Sequence, residues 1–201
     1  KNKTGKKKIV VASILAALAM QTASVIDVAA AVGDQPSAAI ANGSVTSGKT
    51  NGLAIGNFAS SGSNQSIAIG YYSVATATEA DPALPATAVG AGANATGQST
   101  VALGLLAQAT SGSTTALGAK SVASEDAAVA VGYGTKATGN YASALGADAT
   151  ASNNDATAFG HGTVASGGSS TALGSRAKAG GTAGVGIGML ANATNQYGVA
   201  I

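Results

Sequence analysis

One stretch of this chain, Gly43 to Thr50, matches a phosphate-binding loop, with the pattern Gly-x-x-x-x-Gly-Lys-Thr. Such a loop binds phosphate through its backbone N–H groups when an apolar strand precedes it and a helix follows it. Here the apolar residues before Gly43 are too few for that strand, and no later apolar strand ends in an aspartate that could hold magnesium. We therefore attribute the match to a chain rich in Gly, Ser and Thr, and predict no bound nucleotide.

No other group of residues is arranged for catalysis or metal binding. His161 is the single histidine of the 201 residues and there is no cysteine, so a His/Cys metal site is excluded by number. Carboxylates are few, and Glu125 and Asp126 adjoin in a predicted turn, where they point in different directions. The glycines of 184–188 suggest a dinucleotide loop, but they follow a repeat that explains them. We predict a protein that is not an enzyme and has no cofactor.

That repeat fills the chain from Leu53 to Ile201: an Ala, then a large apolar residue, then a Gly that we call the anchor. Successive anchors follow a 14-residue period, except for one longer step between Gly70 and Gly90. A fixed period is the signature of a stacked repeat architecture. The anchors are the turn glycines Gly56, Gly70, Gly90, Gly104, Gly118, Gly132, Gly146, Gly160, Gly174 and Gly188. The large apolar residues before them, which we call the aliphatic row, are Ile55, Ile69, Val89, Leu103, Leu117, Val131, Leu145, Phe159, Leu173 and Ile187.

Each repeat unit predicts two short strands. The three residues before an anchor are never charged, so we expect this segment to be buried on both faces. After the anchor, the third residue is always small, whereas the fourth can be charged, as at Lys136 and Lys178. This alternation is typical of a strand with one solvated face. The anchor supplies a turn that a side chain would obstruct.

Two strands and two turns in each 14-residue unit make one coil of a β-solenoid, in which each strand pairs with its copy one unit later, at about 4.8 Å per coil. A helix is disfavoured because each of its several glycines would cost roughly 1 kcal/mol. With about one large aliphatic residue and several Ala per coil, a lone column is predicted to be marginally stable. Self-association that hides the aliphatic row on a common axis would cover it, and spacing alone leaves the number of chains open.

The run from Ser66 to Ser73, Ser-Ile-Ala-Ile-Gly-Tyr-Tyr-Ser, and its copies such as Thr100 to Gly104 resemble the head repeat of the trimeric autotransporter adhesins, the YadA-like family. The resemblance covers residues 53–201. It implies an all-β fold, a left-handed parallel β-roll with three chains around one axis, displayed on the bacterial cell surface at the outer membrane. It also implies a virulence-associated adhesin that binds an extracellular matrix protein, collagen-like or fibronectin-like, or the host cell surface.

The resemblance also supplies candidate ligand contacts. The family's collagen-associated motif is Asn-Ser-Val-Ala-Ile-Gly-x-x-Ser, but Gln65 replaces its Asn and Ile67 its Val, and most matching positions belong to the repeat itself. Exposed tyrosines are good contact residues because they offer a large area with few rotatable bonds, although they could equally cover the rod at a turn. The candidates are Ser66, Ala68, Ile69, Gly70, Tyr71, Tyr72 and Ser73, with Glu79 and Asp81 from a loop described below.

Residues 1–31 predict a helical signal peptide. Five lysines precede an apolar run from Ile9 to Met20, and Ala29-Ala30-Ala31 offers a cleavage site of small residues. A membrane anchor is the alternative, but the run is shorter than the roughly 20 residues of a membrane span. Without this segment, five basic and seven acidic residues remain, so we expect an exported protein with no nucleic-acid partner.

The rest of the chain is predicted to be one domain. Residues 32–52 form a lead-in that caps the column, with Ala38-Ala39-Ile40 as a degenerate first coil. In the long step, prolines cannot donate to a strand ladder, so residues 78–85 are expected to bulge out as a loop. The chain ends at Ile201 within a repeat, with no heptad stalk and no membrane-barrel strands, and we expect a fragment or an anchorless relative.

Our prediction is a homotrimeric, non-enzymatic adhesin head, and two rivals remain. A structural self-assembling extracellular fibre would grow end to end. An ice-binding solenoid would need Thr at one position in every coil, whereas the Thr found three residues before several anchors alternates with Val, Ile, Leu and Ser.

Overall fold

A computed structural model describes residues 26–27, 38–40, 44–45, 51–77 and 84–201. All regular secondary structure in these ranges is β-strand. The described residues include no helix that could span a membrane. In chain order the strands are β1 (Ile26–Asp27), β2 (Ala38–Ile40), β3 (Ser44–Val45), β4 (Leu53–Ile55), β5 (Ser60–Ser61), β6 (Ile67–Ile69), β7 (Val74–Ala75), β8 (Thr87–Val89), β9 (Asn94–Ala95), β10 (Val101–Leu103), β11 (Gln108–Ala109), β12 (Thr115–Leu117), β13 (Val122–Ala123), β14 (Val129–Val131), β15 (Lys136–Ala137), β16 (Ser143–Leu145), β17 (Thr150–Ala151), β18 (Thr157–Phe159), β19 (Val164–Ala165), β20 (Thr171–Leu173), β21 (Lys178–Ala179), β22 (Val185–Ile187), β23 (Asn192–Ala193) and β24 (Val199–Ala200).

The strands form two sheets. The even-numbered strands, with β1 at one end, make a 13-stranded sheet that we call the anchor sheet, and the remaining odd-numbered strands make an 11-stranded second sheet. Each strand pairs in parallel with its copy in the next coil, so that Ala102 pairs with Ala116 and Gln108 with Val122. The predicted all-β parallel solenoid of 14-residue coils is confirmed. The number of chains and the handedness stay predictions.

The long step does not interrupt either ladder. Across it, Ile67 pairs with Thr87 in the anchor sheet, and Val74 pairs with Asn94 in the second sheet. The six extra residues are therefore accommodated between β7 and β8, outside the strands, as the prolines predict. Residues 78–83 themselves, including Glu79 and Asp81, lie outside the described residues.

The first rung of the anchor sheet is the degenerate coil that the lead-in predicts. Ala39 pairs in parallel with Ala54 and Ile40 with Ile55, so this coil is one residue longer than a regular one. Strand β1 then runs antiparallel to β2 at the end of the sheet. Ile26 and Asp27 fall within the predicted helical signal segment, yet they form a strand, and the rest of residues 1–31 lies outside the described part.

The core between the sheets differs from the expectation of one large aliphatic residue per coil. Among the described residues, all 27 buried hydrophobic residues are alanines, and the largest fully buried side chains are threonines. In β10, for example, Ala102 faces the interior while Val101 and Leu103 face outward. In the single chain, therefore, the expected burial of this strand on both faces holds only for its inner face.

Small polar side chains complete the corners of the core. Thr114 Oγ1 donates to the carbonyl of Ser111 at 2.9 Å, and Ser121 Oγ donates to the carbonyl of Gly118 at 2.8 Å. Each of these hydroxyls satisfies a turn carbonyl in its own coil. A buried hydroxyl without such a partner would be costly, so these bonds explain why Ser and Thr can replace Ala at the corners.

The turns are fixed by bonds between coils. Besides the anchor itself, each regular coil has two turn positions where φ is positive, two residues after the anchor and five before the next, and 17 non-glycine residues occupy such positions. This conformation costs free energy and persists only where the surroundings impose it. The imposed contact is a backbone bond to the preceding coil, such as Leu106 N–H to the Ala91 carbonyl at 2.9 Å. The ladder thus continues around the corners.

The anchors require glycine for a steric reason. Gly104 has a φ of 136°, and a Cβ built there would lie 2.6 Å from the carbonyl carbon of Gly118, the next anchor. A side chain at Gly104 would therefore collide with the backbone of the next coil.

Candidate functional site

An apolar stripe runs along the outer face of the anchor sheet. It has two columns: the aliphatic row, and a second column two residues earlier in each strand. The row is half-buried in the first coils and exposed at Leu117, Leu145, Phe159, Leu173 and Ile187. The second column, which mixes aliphatic and hydroxyl side chains, comprises Leu53, Ile67, Thr87, Val101, Thr115, Val129, Ser143, Thr157, Thr171 and Val185. We call these two columns the apolar face.

The apolar face continues from coil to coil along the anchor sheet. Ten coils at the spacing of β-strands extend over about 50 Å. Monomeric proteins rarely expose a continuous apolar patch of more than a few hundred Å², and larger patches mark sites of interaction. The sequence predicts this row to be covered by sister chains, and the structure places it where a sister chain could reach it.

Three of the predicted ligand contacts are corrected by the structure. Ser66, Ala68 and Ser73 are fully buried. Ser66 Oγ donates to the carbonyl of Ser63 at 2.7 Å, and Ser73 Oγ donates to that of Gly70 at 3.0 Å. A ligand on the surface cannot touch these side chains, because they face the core and satisfy its turns.

The other candidates from this motif lie on different surfaces. Ile69 belongs to the apolar face, and Gly70 is an anchor. Tyr71 and Tyr72 project from the turn after β6 and are 57% and 51% exposed. Phe58, one coil earlier, stacks on Tyr72 with ring centroids 4.6 Å apart, and Tyr71 meets Tyr72 edge-on at 4.5 Å.

This aromatic cluster contains one residue that sequence reasoning missed. Phe58 stands two residues after its anchor, as Tyr72 does, so the 14-residue period places their rings in one column. The 14-residue spacing of Phe58 and Tyr72 is the sequence pattern that predicts this stacking. Because Phe58 and Tyr72 cover each other, they act partly as the turn-covering residues that we considered as their alternative role.

A groove on the opposite edge of the rod was also missed. It has a volume of about 570 Å³ and crosses the turns that lead into β10, β12, β14 and β16; its lining residues are Gly97, Gln98, Thr110, Ser111, Gly112, Ser113, Asp126, Ala127 and Tyr141. Gln98, Gly112 and Asp126 hold equivalent positions in three successive coils, so Gly112 leaves a gap in a column of side chains. Reading this position along the repeat would have revealed the gap.

Three further possibilities from the sequence are a role for His161, a metal site and a phosphate-binding loop. His161 is exposed at a turn, as expected. The described residues contain no group of three or more His, Cys, Asp or Glu that could hold a metal ion. The segment that follows Thr50 enters strand β4 rather than the helix that a phosphate-binding loop requires.

The outer face of the second sheet is mostly polar, with Val74, Val122 and Val164 as its apolar members. Its fourth-position column contains Lys136 and Lys178, and the column two residues later carries hydroxyls in most coils. Those residues are Thr76, Thr96, Thr110, Ser124, Thr138, Ser152, Ser166 and Thr194. The outer surface of the anchor sheet therefore carries more large apolar side chains, and that of the second sheet carries more polar ones.

Comparison with known proteins agrees with this architecture. The family model of the YadA head domain repeat, which spans two copies of the repeat, matches residues 47–73, 85–107, 109–135, 137–163, 151–177 and 165–189. A solved structure, the collagen-binding domain of the Yersinia adhesin YadA, is 24% identical with a TM-score of 0.48. The alignment covers 76% of this chain and 66% of that one. No curated protein matches the chain. Since the family model covers more than half of the chain, the protein belongs to the YadA head domain repeat family.

Proposed function

We propose that this chain is the head of a homotrimeric adhesin that is exported and displayed on the bacterial cell surface. It attaches its cell to an extracellular matrix protein, collagen-like or fibronectin-like, or to the host cell surface, and catalyses no reaction. Residues 1–31 serve as the signal peptide, residues 32–52 as the lead-in, and residues 53–201 as the head.

The observation that carries the proposal is the apolar face. Burial of a Leu, Ile or Phe side chain contributes roughly 1.5–3 kcal/mol, and none of these residue types is buried within the described part of the single chain. Large apolar side chains are also exposed at the turns after some anchors (Phe58, Leu105, Leu106 and Leu190), but the apolar face is the surface on which they recur in every coil. That surface has the same length and the same spacing in every copy of the chain, so further copies fit it best.

A closed cyclic assembly buries this surface without leaving a copy of it exposed. The resemblance to trimeric adhesins sets the expected number of copies at three. With the apolar faces on the axis, the polar second sheet and the turn edges point outward. Those outward surfaces, which include Tyr71, Tyr72 and the loop with Glu79 and Asp81, would contact the ligand. Three copies of a weak site also add avidity.

Two measurements on the full chain test the proposal. Light scattering coupled to gel filtration should give a finite species with the mass of three chains. Solid-phase assays should show binding to immobilised collagen, fibronectin or host cells. A folded monomer would overturn the trimer, and open-ended growth would favour the structural-fibre alternative. A trimer that binds none of these surfaces would contradict the adhesive role.

A further inference from the structure

The groove beside Gly112 combines a carboxylate with an uncovered aromatic ring. Asp126 Oδ1 accepts hydrogen bonds from Ser111 Oγ and from the Gly112 N–H, the latter at 3.1 Å. Among the described residues, neither oxygen of this carboxylate has a basic partner. Tyr141 lies one coil further on, where its N–H donates to the Asp126 carbonyl at 2.8 Å. Its side chain is 65% exposed.

The charges around the groove have one sign. The groove residues include no lysine or arginine. Of the turn residues that precede the anchor-sheet strands, the charged ones in the described part of the chain are Glu125, Asp126 and Asp155, all acidic. The nearest lysines in sequence, Lys120 and Lys136, lie in the other turn and in the second sheet. Asp126 is therefore the one formal charge among the residues that line the groove.

A carboxylate and a tyrosine ring that line the same groove are complementary to a cation carried on an apolar stem. An arginine or lysine side chain can pair with the carboxylate while its charge lies over the ring face. On the opposite edge the chain itself shows a contact of this kind, where Lys120 Nζ lies 5.7 Å from the centre of the Tyr133 ring. The groove at Tyr141 offers the same ring and adds a carboxylate.

We propose that this groove binds a basic side chain, an arginine or a lysine, of the polypeptide to which the head attaches. The inference rests on the proposed adhesive function and names the chemistry of the partner. A single exposed site of this kind is weak, because exposed ion pairs gain little in water. Binding of the whole head would depend on the repetition of the site in three chains.

The first test uses the full chain and a small probe, N-acetyl-arginine methylamide, followed by amide NMR. Because the Gly112 N–H donates to Asp126, its resonance should shift as the probe binds the carboxylate. N-acetyl-citrulline methylamide, which has the same shape without the charge, should not shift it. Methyl glucoside, an uncharged sugar, serves as a second control and should not shift it either. Equal shifts by both amino-acid probes, no shift by either, or a shift caused by the sugar would overturn the proposal.

Matched variants separate the two groups of the groove. Asp126→Asn should abolish the shift, whereas Asp148→Asn, at an exposed turn on the opposite edge, should not. Tyr141→Ala should weaken the affinity for the probe by about two- to fivefold, which is the contribution of a cation–π contact at an exposed ring. Tyr141→Phe should bind nearly as the parent does, and Tyr197→Ala, at the equivalent turn position, should have no effect. Unchanged binding by Asp126→Asn would refute the site.

Attachment assays distinguish failure of this inference from failure of the proposed function. If Asp126→Asn heads bind matrix proteins as well as the parent does, the adhesive role stands and the groove is not its site. If the parent binds no matrix protein or cell, the adhesive role fails, and the NMR titration still reports whether the groove selects a cation. Circular dichroism and light scattering of each variant should match the parent, since the substituted side chains lie at exposed turns.

Discussion

Leu145 and Phe159 pair in register in neighbouring strands of the anchor sheet, and both side chains stand on its outer face. They are 38% and 49% exposed, although they are among the largest apolar residues of the repeat. The inner residues of the same strands, Ala144 and Ala158, are almost fully buried. The sheet therefore places its small residues in the chain's own core and its large ones where another chain can cover them.

This arrangement predicts that the apolar face holds the assembly together. Replacing Leu117 and Leu145 with Asp should dissociate the oligomer and unfold the rod, because a charge would be buried without a partner in each chain. Each lost leucine also removes roughly 1.5–3 kcal/mol of burial free energy. Sedimentation and circular dichroism would measure both effects. Gln108→Asp, on the exposed face of the second sheet, is the control and should leave mass and fold unchanged. A stable, folded assembly of the Leu117/Leu145 variant would contradict burial on an axis.

The alanine core predicts a strict limit on side-chain volume. Ala130 is fully buried between the two sheets. Ala130→Val should lower the free energy of unfolding by about 1–3 kcal/mol, since extra methyl groups in a packed core force side chains and backbone apart. Thr115→Val, on the outer face of the anchor sheet, should be neutral or slightly stabilising. Chemical denaturation measures both, and a stabilising Ala130→Val would show that the sheets enclose unfilled space.

The anchor glycines predict a different kind of sensitivity. A Cβ at Gly104 would lie 2.6 Å from the carbonyl carbon of Gly118, and its φ of 136° is unfavourable for other residues. Gly104→Ala should therefore cost at least about 1–3 kcal/mol, the scale of a strained backbone residue. Gly180→Ala is the matched control, because a Cβ there first meets the Ser166 hydroxyl at 3.8 Å. Similar melting temperatures for the two variants would argue against close contact between the anchors.

The sequence was sufficient for the ladder and insufficient for the surfaces. Period and anchors predicted the coil and its register, and strands pair in that register even across the long step, because pairing between identical units leaves no other register. Whether the Leu103 side chain points into the core or outward was not predictable from its own strand, since an apolar residue suits a core and an interface equally well. The buried Ser66 and Ser73 were mistaken for contacts because motif and corner coincide. Tyr141 and Asp126 were missed because they meet only when successive coils are stacked.

The loop of the long step predicts a tolerated deletion. Ile69 pairs with Val89 as though the six extra residues were absent, so removal of residues 78–83 restores the regular period without changing the ladder. Loop length contributes little to stability, since a doubling costs only about 0.6 kcal/mol. The melting temperature and the mass of the assembly should therefore stay within error of the parent. Deleting one whole regular coil, for example 119–132, is a harsher control that removes one rung yet preserves register. A large fall in melting temperature confined to the 78–83 deletion would show that the loop packs against the rod. Glu79 and Asp81 would then stabilise the fold rather than bind a ligand.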